Sequence, residues 1–183
     1  MSKSYKNFWS LNTDESVVAG ILRDETKHEV LMPLNAQMKD IDLVLADIES
    51  KRYYTVQVKG SRAYEPKKRE VDKYGAGSAG WFFFSKDIIE RSRVDYFIFL
   101  VYVIEESEKT GRRHFSPHTV TIPTSKLKEL VLKYKLTHGD NRYSFLIWIN
   151  PKTQKAFDFR DTVCDLSDFL DQKGFSKLNN QRL

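Results

Sequence analysis

The segment 39–62, KDIDLVLADIESKRYYTVQVKGSR, carries Asp40, Asp42, Gln57 and Lys59 on two apolar runs joined by a short polar turn. Side chains on a strand alternate between faces, so the second run divides into Tyr53, Thr55, Gln57 and Lys59 on one face and Tyr54, Val56 and Val58 on the other. Asp40 and Asp42 share a face of the first run. If that face meets the one bearing Gln57 and Lys59, an acid, an amide oxygen and an ammonium converge at the strand ends. Hard cations such as Mg²⁺ take oxygen ligands and keep several waters, so one carboxylate, one amide oxygen and a backbone carbonyl can hold such an ion beside a phosphate. A nearby lysine can orient the nucleophile or offset charge in the transition state. The same alternation also occurs in an ordinary half-exposed strand, so the pattern alone leaves both readings open.

Positioning these groups requires a scaffold of strands with flanking helices. A helix is expected from Asn12 or Thr13 to about Arg23, with Val17, Val18, Ile21 and Leu22 as its buried stripe and Asn12 and Glu15 at capping-box spacing. EVLMPL reads as a short strand that Pro33 confines to an edge, and 35–39 as a loop. Strands follow over 40–47 and 52–59; their four-residue connection is of hairpin length, which makes the pair antiparallel. The segment 60–80 changes character. Its cations, Arg62, Lys67, Lys68, Arg69 and Lys73, outnumber Glu65, Glu70 and Asp72, and glycines stand at 75, 77 and 80, so it is expected to be a basic, mobile loop.

Beyond it, 81–84 resumes as an aromatic strand and Ser85 caps a short helix over 86–90. The run 95–104 reads as the central strand, followed by a charged hairpin over 105–114 and a strand over 119–122. A helix begins at Pro123-Thr124-Ser125, with Leu127, Leu130, Val131 and Tyr134 on one side. A hairpin of 143–149 and 156–159, turning at Asn150-Pro151-Lys152, and a short helix over 166–171 complete the order. The class is α/β (α+β), one mixed β-sheet flanked by helices. A single domain over 1–176 with a flexible tail over 177–183 is expected, in keeping with the length of 183 residues.

With 40% hydrophobic and 13% aromatic residues the chain can bury a core. Its longest apolar run, YFIFLVYVI, is far short of the ~18 residues a membrane helix needs, and MSKSYKNFWS lacks a signal core, so a cytoplasmic protein without membrane contact is expected. The single cysteine, Cys164, excludes an internal disulfide and is expected to be buried. His28, His114, His118 and His138 lack paired zinc spacing, the glycines match neither a Walker nor a dinucleotide fingerprint, and Ser61 with Lys59 is a face repeat rather than an activated nucleophile pair. The aromatic runs 81–84 and 96–102 are assigned to the core rather than to base stacking. The net charge of +5 and pI near 9.1 suit a polyanionic partner.

Asp42, then Gln57-Val58-Lys59 followed by Gly60-Ser61, resembles the PD-(D/E)XK nuclease superfamily, in the variant where glutamine replaces the second acid. The similarity spans roughly residues 13–135 and is sharpest over 42–61. It implies a restriction-endonuclease-like core and a Mg²⁺- or Mn²⁺-dependent endonuclease acting on DNA. By the same resemblance Asp42, Gln57 and the backbone of Val58 are the metal ligands, Lys59 is the catalytic lysine, and Glu15 matches a first-helix glutamate of similar nucleases, with helix capping as its rival role. Ser61, Arg62, Lys67, Lys68, Arg69 and Lys73 are then the DNA-facing residues, and cleavage of two strands by one small domain favours a homodimer. No proline precedes the acid, and Gln57 contributes a neutral oxygen, so the site binds metal more weakly unless Glu15 or Asp40 adds charge. The alternative is a catalytically inactive nucleic-acid-binding module with the same fold.

Overall fold

A computed structural model describes residues 13–33, 40–107, 109–134, 136–139, 141–158, 160 and 164–179. The expected loop over 35–39 and the final residues of the expected tail lie outside these. The chain opens with α1 (Thr13–Glu25), whose first turn carries Asp14 and Glu15 and whose last turn carries Arg23, each charge complementing the helix dipole. Val18 and Leu22 of its apolar stripe are fully buried. Each such aliphatic side chain contributes roughly 1.5–3 kcal/mol through removal from water.

Three strands follow as an antiparallel meander: β1 (Glu29–Leu31), β2 (Leu43–Asp47) and β3 (Arg52–Gly60). β1 lies at the sheet edge, as Pro33 suggests. The crossover that follows contains α2 (Lys68–Tyr74), β4 (Ser78–Ser85) and α3 (Lys86–Glu90), and it returns the chain to β5 (Tyr96–Glu106), which pairs parallel to β3. A long connection is what a parallel pair demands. β6 (Arg113–Pro123) pairs antiparallel with β5 and leads into α4 (Thr124–Lys133). The five-stranded mixed sheet thus has the order β1-β2-β3-β5-β6.

β4 does not join it. With β7 (Arg142–Asn150) and β8 (Lys155–Asp158) it forms a second, three-stranded antiparallel sheet. The class is therefore mixed α/β with helices flanking a mixed sheet, and the expectation of one sheet is corrected to two. On one face of the five-stranded sheet Val56, Val58, Tyr96, Ile98 and Leu100 pack with Val18 and Leu22 of α1 and with Phe175 and Leu178. On the other, Phe97, Phe99, Val101, Val120 and Ile122 pack with Phe82, Phe84, Phe145 and Ile147 of the second sheet and with Leu127, Leu130 and Val131 of α4.

The C-terminal part differs from expectation. A 3₁₀ turn at Ser167–Phe169 precedes α5 (Asp171–Phe175) and a second turn at Ser176–Asn179. Leu178 is fully buried and the Tyr96 hydroxyl donates to the Lys177 carbonyl at 3.1 Å, so the chain stays packed past 176. Cys164 is buried as expected, and burial pushes its thiol up to about 11. Among the described residues no helix is long and apolar enough to cross a membrane.

His118 ties α5 to β6. Its Nδ1 lies 2.8 Å from Asp171 Oδ2 and its Nε2 3.1 Å from Glu105 Oε1, while Asp171 Oδ1 accepts the Thr119 N–H at 2.8 Å. Burial opposes protonation of the ring, but the hydrogen bonds and charges of Asp171 and Glu105 outweigh it and raise the pKa above its usual value. A raised folded-state pKa gives stability that is complete below the unfolded value of about 6.5 and is lost as pH rises through the folded value. Wild type should therefore lose its urea-midpoint advantage over His118→Gln between pH 6 and pH 9. A difference that does not change with pH would contradict this.

Candidate functional site

Asp42 stands one residue before β2, whose first residue, Leu43, pairs with Val56. Its N–H donates to the Val56 carbonyl at 2.9 Å, and its Oδ2 accepts the Val58 N–H at 2.7 Å. These two bonds bracket Gln57 and hold the carboxylate beside it where the hairpin ladder ends. In a paired strand the N–H and C=O of one residue leave on the same side. The Val58 carbonyl therefore also faces the Asp42 edge, beyond the start of β2.

Gln57 lies in parallel register with Phe97 and Lys59 with Phe99, so both side chains stand on the sheet face covered by the second sheet. Gln57 is only 4% exposed, and its Oε1 has no hydrogen-bond partner among the described residues. Leaving a buried amide oxygen unpaired costs about 1–3 kcal/mol, a cost that a bound ion or an ordered water at this point would remove. Lys59, two positions along the same face and half-buried, is about 7 Å further along the strand. Asp42 is thus bonded to Val56 and Val58, on either side of Gln57, and Lys59 follows two residues along β3.

Asp40 is not part of the strand. Its φ of 75° places it in a left-handed turn, so the alternation that would put it on the face of Asp42 is broken there. Among the described residues no three His, Cys, Asp or Glu side chains gather in one place. The first-helix acid found at the end of β3 is Asp14, which sequence reasoning passed over. A Cβ placed on Gly60 would overlap the Asp14 carboxylate, and Asp14 Oδ1 accepts the Tyr102 hydroxyl at 3.2 Å. Burial and the Asp14 carboxylate raise the Tyr102 pKa. Glu15 is about 100° further round the helix and is engaged in an interaction of its own.

This approach explains the glycine that follows Lys59. Gly60→Ala would push a methyl group into Asp14 and displace the start of α1. The variant should be destabilised by roughly 1–3 kcal/mol, the usual cost of overpacking, as read by its urea unfolding midpoint. Unchanged stability would show that Asp14 turns aside freely.

The segment 60–80 is more ordered than a basic loop would be. The Ser61 N–H donates to the Leu100 carbonyl, and Ser61 Oγ accepts the Trp81 N–H at 2.8 Å. That hydroxyl also donates to the Arg62 carbonyl, so Ser61, expected to face DNA, is used to join the crossover to β4. α2 follows, its start held by Glu70, which accepts the Lys67 N–H at 2.7 Å and the Tyr64 hydroxyl at 3.0 Å. Its Tyr74 ring lies against Trp148 and Phe157 of the second sheet, at 5.4 and 5.5 Å. Arg62, Lys67, Lys68, Arg69 and Lys73 are all exposed. An open depression of about 500 Å³ is lined by Arg69, Glu70, Lys73, Tyr74 and Arg160.

A divalent cation fits this donor set. The buried Gln57 Oε1, without a partner among the described residues, the anchored Asp42 carboxylate and the Val58 carbonyl are hard oxygen donors of the kind Mg²⁺ and Mn²⁺ accept, with water filling the other positions. What the fold and site define is a mixed α/β protein with an acid, an amide and a lysine at the open end of a β-hairpin. Comparison with protein-family models, curated proteins and solved structures gives no match.

Proposed function

We propose that the protein is a metal-dependent endonuclease that hydrolyses DNA phosphodiester bonds at the Asp42–Gln57–Lys59 centre. The observation that carries this reading is the buried Gln57 Oε1, without a hydrogen-bond partner among the described residues, one residue before Val58, whose N–H holds the Asp42 carboxylate. A bound Mg²⁺ or Mn²⁺ supplies Lewis acidity toward a phosphoryl oxygen and toward a coordinated water. Asp42, Gln57 and the Val58 carbonyl would hold the ion. Lys59 orients the attacking water and offsets the negative charge that builds on the phosphoryl group. Arg62, Lys67, Lys68, Arg69 and Lys73 position the phosphate backbone.

The αβββ order of α1 to β3, with β5 returning parallel to β3, supports a restriction-endonuclease-like core. The reading is tested by incubating supercoiled plasmid with the purified protein in Mg²⁺ or Mn²⁺ and in EDTA. Nicked and linear products that require the metal and are missing with Asp42→Asn are expected. Equal activity in both proteins would mean a contaminating nuclease. Failure of wild type to cut any DNA while binding it in a salt-dependent way would instead favour an inactive binding module.

A further inference from the structure

We propose that the outer face of β4 is a stacking platform for unpaired bases, so that the nucleic acid offered to the Asp42–Lys59 centre is single-stranded or locally opened. The proposal rests on nucleic acid being the ligand, as in the function above. Trp81 and Phe83 are 48% and 49% exposed, whereas Phe82 and Phe84, on the opposite face of the same strand, are 3% exposed. Alternate residues on a strand stand about 7 Å apart and point the same way. The Tyr64 ring continues the row beside Trp81, with centroids 5.5 Å apart, and the His138 ring continues it beside Phe83, at 5.3 Å.

β4 is paired with β7 along its whole length, from Ser78↔Ile149 to Ser85↔Arg142, so the rings are held on a rigid surface. Cations flank both ends. Arg62 follows Ser61, which accepts the Trp81 N–H, and Lys67 to Arg69 follow Tyr64. Lys86 and Arg142 stand at the Phe83 end. Two nearby acids are already occupied, Glu65 by Arg113 at 2.7 Å and Glu70 by Tyr64 and the Lys67 N–H.

Exposed flat rings within a cationic border are what an unpaired strand needs: each base offers a π-face and each phosphate a charge. A duplex hides its base faces and would use the cations alone. Ser61, two residues beyond Lys59, ties the end of β3 to β4 through the Trp81 N–H.

Fluorescence anisotropy with a labelled 12-nucleotide mixed-sequence single strand and its duplex, in EDTA, tests this. Wild type should bind the single strand more tightly than the duplex. Trp81→Ala should weaken single-strand binding about tenfold or more and leave duplex binding within about twofold, while Trp81→Phe stays close to wild type. Intrinsic tryptophan fluorescence of wild type should be quenched by the single strand, and Trp81→Phe should lose that quenching. This decides the matter even if Trp81→Ala does not fold. Duplex bound as well as single strand, no binding of either, single-strand binding by folded Trp81→Ala within twofold of wild type, or absent quenching would each overturn the platform. Metal-dependent, Lys59-dependent cleavage without Trp81-dependent binding would remove the platform and leave the nuclease. Trp81-dependent binding without cleavage would do the reverse.

Discussion

Asp42→Asn should lower metal-dependent plasmid cleavage by about 10²–10³-fold while leaving the fold intact. Charge stabilisation by a bound cation is worth several kcal/mol at the transition state, and each ~1.4 kcal/mol is a factor of ten in rate. Asparagine keeps an oxygen able to accept the Val58 N–H, the bond that Asp42 Oδ2 makes at 2.7 Å. It removes the carboxylate charge that the Val58 N–H anchors at the hairpin end. Asp42→Ala is the harsher variant, because it also leaves the Val58 N–H without its acceptor. Lys59→Ala should lose activity on a similar scale for a different reason, since it keeps the ion and loses the ammonium beside the scissile phosphate. Initial rates of supercoil loss, with circular dichroism on the same samples, check both. Full activity in a folded Asp42→Asn protein would remove the centre from consideration.

Gln57→Met should make the protein more stable and less active together. Methionine matches glutamine in length without branching, and it removes an amide oxygen that is buried without a partner among the described residues. In metal-free buffer the gain should be about 1–3 kcal/mol, the penalty that an unsatisfied buried polar group carries. Adding Mg²⁺ should then reverse the order of benefit. Wild type gains stability as the ion binds its folded state, and the methionine variant gains little. Urea midpoints with and without Mg²⁺ measure both effects. A large loss of stability in Gln57→Met without metal would show that the amide is satisfied within the protein and has no need of an ion.

Local signals carried much of this architecture. The stripe Val18/Leu22 marks α1, the alternation in 53–59 fixes the faces of β3, and the apolar run from Tyr96 marks a strand that lies inside the sheet, between β3 and β6 rather than at its centre. Features set by long-range pairing were hidden. Nothing local in WFFF says that β4 leaves the main sheet for β7, nor which alternate pair of rings faces outward, so Trp81 and Phe83 were assigned to the core although about half their surface is exposed. α2 buries no side chain, and without an apolar stripe its polar sequence reads as loop. Leu178 is held in place by the α1 face of the sheet, a contact that no local pattern announces.

The site divides in the same way. Strand period and hairpin register place Gln57 and Lys59 on one face of β3 and Asp42 at the end of the hairpin. Asp40 fails because a left-handed turn, φ 75°, interrupts that period just before the strand. The choice between Asp14 and Glu15 depends on how α1 is rotated on the sheet, and adjacent acids in a first turn satisfy the helix dipole equally well. One signal did point to Asp14: a glycine immediately after the lysine implies that something crosses the strand there, and Asp14 is what crosses it.

Mn²⁺ titration of the metal-free protein by electron paramagnetic resonance is the decisive measurement for the metal centre. Wild type and Lys59→Ala should each bind one ion per chain, Gln57→Met should bind it more weakly, and Asp42→Ala should show free Mn²⁺ only. Equal Mn²⁺ binding by wild type and Asp42→Ala would contradict the assignment of this hairpin end as the metal site.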